Sequence, residues 1–77
     1  RLQRMVAALV EDLVAASNLI VIHTFPGAAA GVAGAIDFAE IPGALGTVAG
    51  DNTIMLACAT PEDATAIEGL LSGMRRR

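Results

Sequence analysis

The chain contains no lysine, and cysteine and histidine occur once each, as Cys58 and His23. A single cysteine excludes an internal disulfide, and one histidine beside it leaves no set of zinc ligands. A nucleophile-base pair would have to join His23 to Ser17, Ser72 or Cys58, and nothing in the local sequence prepares any of them. His23 therefore reads as a hydrogen-bonded structural histidine, and Cys58 as a small buried hydrophobe. Without lysine, Gly43, Gly46 and Gly50 do not make a nucleotide phosphate loop. These absences argue against an enzyme.

Cations are missing from the body of the chain. All five basic residues (Arg1, Arg4, Arg75, Arg76 and Arg77) lie at the two ends. Between Met5 and Met74 stand eight carboxylates and no lysine or arginine, a net charge of 0 − 8 = −8 over that stretch. Such a body repels phosphate, so the domain is not expected to bind DNA by itself. Most of the acids read as solvated surface, and a minority as awaiting a cation from a ligand or another chain.

Charge is absent altogether from Ser17 to Ile36. The run is not a membrane span, because Asn18, His23 and Thr24 interrupt it and Pro26-Gly27 would break a continuous helix. The N-terminus lacks the pattern of a secretory signal. A cytoplasmic protein is expected. Opening on Arg1, the chain is expected to be a fragment or a processed product.

What is present is apolar. The composition is 55% hydrophobic, with a mean hydropathy of +0.62. A domain of 77 residues hides only about 60–65% of the surface its unfolded chain exposes. Excess apolar surface without disulfide or metal points to self-association through apolar interfaces.

Periodicity places the elements. Leu2, Met5, Val6 and Leu9 have helical spacing and predict a short lead-in over residues 1–8. Residues 9–16 read as a strand, Ser17-Asn18 as a turn, and Leu19–Thr24 as a β-branched central strand. Pro26 is expected at the first position of a helix running from Ala28 to about Phe38. Val32, Ile36 and Ala39 make its larger apolar stripe. A second stripe of small residues, Ala30 and Ala33 or Gly34, ends in the acid Asp37. Leu45–Ala49 and Thr53–Ala59 read as strands joined by Gly50-Asp51-Asn52, residues that tolerate the positive φ of hairpin turns. Thr60 is expected to cap a last helix opened by Pro61, with Glu62 and Asp63 at its positive end. Ile67, Leu70, Leu71 and Met74 form the buried face of that helix, and the three terminal arginines complement its C-terminus. The order β-β-α-β-β-α predicts an α+β fold of one domain. Its architecture would be a two-layer sandwich, a mainly antiparallel four-stranded sheet with two helices on one face.

Two spots suggest binding. The free N–H groups at Pro26-Gly27-Ala28-Ala29 could receive a carboxylate. The hairpin tip at Asp51 could reach another subunit.

The segment His23-Thr24-Phe25-Pro26-Gly27-Ala28-Ala29, the acid Asp37, and Leu45-Gly46-Thr47-Val48-Ala49-Gly50-Asp51-Asn52-Thr53-Ile54 together resemble the bacterial arginine repressor family, in its C-terminal domain. The likeness runs from about Leu9 to Met74, and Gly46–Asp51 is its most specific part. The resemblance implies a homo-oligomer of trimers, a hexamer made of two of them, with L-arginine as co-repressor between the trimers. It also implies a winged-helix domain, outside this chain, that binds operator DNA and represses genes of arginine metabolism. No further cofactor, metal or membrane partner is implied. Carried over by residue, the effector site comprises Ala29, Ala30, Asp37, Thr47, Ala49, Gly50, Asp51 and Asn52. Asp51 would meet the guanidinium from across the trimer-trimer contact, and Asp37 the amino group or stem. Two departures stand out: the family usually has a second acid where Asn52 stands, and often a polar side chain where Ala30 stands. They leave open an alternative, a structural oligomerisation domain that has lost or changed its effector. Pterin dehydratases share a similar frame, but they need site histidines that one His23 does not supply.

Overall fold

The computed structural model describes residues 1–75. It is an α+β sandwich in the order α1 (Leu2–Leu9), β1 (Val10–Ala16), β2 (Leu19–Thr24), α2 (Ala29–Ala39), β3 (Ala44–Ala49), β4 (Thr53–Cys58) and α3 (Pro61–Arg75). The four strands form one sheet in the order β1-β2-β4-β3, and every pairing is antiparallel. The lead-in is a full two-turn helix that packs on α2 and α3, so three helices cover the sheet rather than two. Amphipathic spacing alone did not reveal that Val6 would be fully buried.

The β-branched run at residues 19–24 became the strand flanked by β1 and β4. Its alternate residues Ile20, Ile22 and Thr24 point into the core, where they meet Ile54, Leu56 and Cys58 of β4. From the helices come Val32, Ile36, Ala64, Ile67 and Leu71. Two expected core residues lie elsewhere: Ala39 is exposed at the end of α2, and Leu70 is half exposed on α3. Leu70 lies at the margin of the arc that Ala64, Ile67 and Leu71 bury, whereas Ala39 stands in line with Val32 but is the last residue of α2, where the helix ends.

Thr60 caps α3 as expected, its hydroxyl accepting the Asp63 N–H at 3.0 Å. Arg75 lies in the last turn and donates to the Glu11 carbonyl on β1. The expected contribution of Arg76 and Arg77 to the helix end lies outside the described residues. None of the described helices is long and apolar enough to cross a membrane.

Two turns differ from expectation. Pro26 is not helical. It occupies a β-turn from Phe25 to Ala28, closed by the Ala28 N–H on the Phe25 carbonyl at 3.1 Å, with Gly27 at φ 82°. Proline followed by a positive-φ glycine is the chemistry of a type II turn, and α2 begins two residues later. The Gly50-Asp51-Asn52 tip adopts no positive φ; among non-glycine residues positive φ falls on Ser17 and Glu40. The tip is shaped by hydrogen bonds to the rest of the molecule, which relieves it of any need for a left-handed residue.

Candidate functional site

Residues paired directly across antiparallel strands share a face of the sheet. Thr47 pairs with Leu56 and Ala49 with Ile54, so both lie on the helix side of β3. Helix α2 runs beside this edge strand and turns its exposed small stripe outward. The stripe is Ala30, Gly34 and Asp37, spaced i, i+4, i+7; Ala33, the alternative to Gly34, is buried. This stripe is the side of α2 turned away from the buried Val32 and Ile36, and only its Asp37 end meets β3.

At one end, the Thr47 hydroxyl donates to Asp37 Oδ2 at 2.9 Å. This bond joins β3 to the last turn of α2 and fixes the carboxylate, leaving its other oxygen available to a ligand. Asp37 and Thr47 line an open pocket of about 660 Å³, with Glu40, Ile41 and Gly46 on its walls. No cation pairs with Asp37 among the described residues.

The hairpin tip lies at the other end. Gly50, Asp51 and Asn52 are exposed, and the Gly50 N–H closes the loop on the Thr53 carbonyl at 2.8 Å. The Asp51 carbonyl accepts from both Gly27 N–H (3.1 Å) and Ala29 N–H (3.2 Å), and the Asn52 carbonyl from Thr24 N–H (2.8 Å). The Asp51 main chain is thus fixed at the start of α2, and its exposed side chain has no cation partner among the described residues.

These bonds revise the expected carboxylate receptor. The N–H groups of Gly27, Ala28 and Ala29 are all engaged within the chain, and Ala29 is fully buried. Ala29 therefore seats the helix on the hairpin and presents nothing to a ligand. The donors of the first turn still open are those of Ala30 and Gly31, whose residues are exposed.

The candidate residues thus fall in two groups. Asp37 meets Thr47 at the end of α2, while Ala29, Gly50, Asp51 and Asn52 gather at its start; Ala30 is exposed in the first turn of α2 and Ala49 ends β3. Asp37 lies eight positions after Ala29 along the helix, a rise of about 12 Å at 1.5 Å per residue. One chain does not bring Asp37 and Asp51 into one pocket. Sequence reasoning missed both main-chain engagement of the helix start and the walls contributed by Glu40 and Ile41. The Pro26-Gly27 pair was a legible signal for the first; the second depends on how the α2–β3 loop folds back.

His23 is structural in the manner expected: its Nδ1 lies 2.8 Å from Asp12 Oδ1 on the neighbouring strand. Cys58 is fully buried, and burial together with the nearby Asp63 carboxylate raises its thiol pKa.

The geometry defines a class: a small α+β sandwich with two exposed acids, Asp37 and Asp51, near opposite ends of α2, neither paired with a cation among the described residues. Comparison with known proteins narrows it. The model of the family described as "Arginine repressor, C-terminal domain" matches residues 6–72. The arginine repressor of Desulforudis audaxviator is 42% identical over 74 residues, covering 96% of this chain and 49% of that protein. That of Heliobacterium modesticaldum is 43% identical over 76 residues, 99% of this chain and 48% of its own length. That of Carboxydothermus hydrogenoformans is 54% identical over 56 residues, 73% and 37% respectively. The chain belongs to the arginine repressor C-terminal domain family, and it spans about half the length of the first two of these relatives.

Proposed function

We propose that this domain binds L-arginine where subunits meet and that binding drives assembly of an arginine-responsive transcriptional repressor. The observation that carries the reading is the disposition of Asp37 and Asp51. Both are exposed and lack a cation among the described residues; Asp37 is held through its carboxylate and Asp51 through its main chain. Asp37 lies in the last turn of α2 and Asp51 beside its start, and the pocket that Asp37 lines does not include Asp51. Asp37 and the Ala30–Gly34 stripe of one subunit would receive the amino-acid end and stem, and Asp51 of a facing subunit the guanidinium. A planar guanidinium pairs best with a carboxylate in bidentate geometry.

Self-association has its own support. Register aligns Val14, Val21, Met55 and Val48 in one row across the sheet face that no helix covers. Val14 is 54% exposed, Met55 42% and Val48 73%. Burying this row among three copies would form a trimer, and two trimers would enclose the arginine sites. Operator binding would belong to a separate DNA-binding domain, and the assembled regulator would work in the cytoplasm. A ligand that binds only the hexamer stabilises it by mass action.

Calorimetry and sedimentation with L-arginine test the reading together. Heat of binding and a rise from trimer to hexamer mass are expected, with Asp51→Ala weakening affinity at least tenfold and Glu62→Ala, on α3, leaving it unchanged. Equal affinities for the two variants would reject Asp51 as the guanidinium partner. No heat and constant mass at millimolar arginine would favour a purely structural oligomerisation domain.

A further inference from the structure

We infer that Gly27 is a positioning residue for effector binding, acting through a main-chain clamp that locks the hairpin tip to the start of α2. The inference rests on the functional reading above and assigns a role to a residue outside the effector contacts proposed there.

Three N–H groups from the β2–α2 connection, those of Thr24, Gly27 and Ala29, hold the two carbonyls of Asp51 and Asn52. Two of them converge on Asp51, the residue whose carboxylate has to point at the guanidinium. The connection itself is anchored from behind. Phe25 N–H donates to the Leu9 carbonyl at 3.0 Å, and the Thr24 hydroxyl donates to the Phe25 carbonyl at 2.9 Å. With both sides held, the tip cannot move without breaking bonds.

Gly27 is the element that lets the clamp close. Its N–H reaches Asp51 only because the backbone there turns through φ 82°. L-residues enter that region at a steric cost, asparagine least among those with side chains. No atom lies within 4 Å of where a Cβ would stand, so a side chain at this position has room and the constraint is purely torsional. Losing this turn would remove one of the two donors that hold the Asp51 carbonyl and widen the range of positions of its carboxylate. A bidentate ion pair tolerates little of that.

The test compares Gly27→Val, Gly27→Asn and Thr60→Ala in the oligomeric protein. Arginine affinity is read by calorimetry and clamp closure by amide hydrogen exchange. In the unsubstituted protein the amides of Thr24, Gly27 and Ala29 should be protected without ligand. Gly27→Val should lose that protection and raise Kd at least tenfold, while Gly27→Asn should restore Kd to within about threefold. Thr60→Ala, which weakens the fold at a distance, should leave Kd unchanged; an equal loss there would reduce Gly27 to a general structural role and overturn the inference. Lost protection in Gly27→Val with unaltered Kd would overturn it as well, as would free exchange of the three amides in the unsubstituted protein. Absence of arginine binding by the unsubstituted protein would instead defeat the functional reading, with exchange still deciding whether the clamp exists.

Discussion

Asn52 stands beside Asp51 at the hairpin tip, and its side-chain oxygen already accepts the Thr53 hydroxyl at 3.1 Å. An amide adds no charge to the site, whereas a carboxylate at this position could accept from a guanidinium as well. Hydrogen bonds to charged groups contribute about 1.5–3 kcal/mol, so Asn52→Asp should tighten arginine binding about tenfold or more. An unchanged dissociation constant would show that the single acid at Asp51 suffices. Cys58 offers a second prediction. Its thiol is fully buried, and both burial and the Asp63 charge favour the neutral form. The folded state therefore holds the proton more tightly than the unfolded chain. Stability should be unaffected by this group below the ordinary thiol pKa of 9.0 and fall as pH rises from there towards the raised folded value. Alkylation at neutral pH should be slow in native protein and fast in denaturant; rapid native labelling would contradict the buried placement.

Among the elements, α3 shows how local chemistry and tertiary packing divide the work. Thr60, Pro61, Glu62 and Asp63 define its start from sequence alone, and the Asp63 N–H on the Thr60 hydroxyl realises it. Thr60→Ala should cost about 1 kcal/mol. At constant protein concentration that is a fall in melting temperature of about 4–8 °C for a domain of this size. A shift under one degree would mean that packing of Ile67 and Leu71 sets the helix start. Helix α2 behaves differently. Its sequence is nearly uniform in small apolar residues, so periodicity distinguished the buried side through Val32 and Ile36 and blurred the rest. Its start was misplaced because Pro26 fits both a first helical turn and a type II turn. The choice was made by Gly27, whose N–H finds the Asp51 carbonyl just beyond the paired ends of β2 and β4. No local propensity encodes a partner 24 positions away.

The molecule as a whole is a sandwich open on one side. Its helices hide one face of the sheet, and Val14, Met55, Val48 and Leu45 remain exposed on the other. Val48→Asp should leave the single subunit folded, because Val48 is 73% exposed there. It should also abolish trimers in sedimentation, since a charge opposite Met55 would enter a dry interface. Trimers of undiminished stability would place the subunit contact elsewhere. Sequence alone determined the α+β class, the four strands, the cap of α3, the acidic body and the surplus of apolar surface. Those properties come from neighbouring residues or from composition. Only the tertiary structure decided which small residues of α2 face outward, that the helix start is sealed by the hairpin, and that Asp37 and Asp51 stand near opposite ends of α2. Each of these depends on where segments distant in the chain come to rest, and main-chain hydrogen bonds between such segments leave almost no trace in side-chain identity.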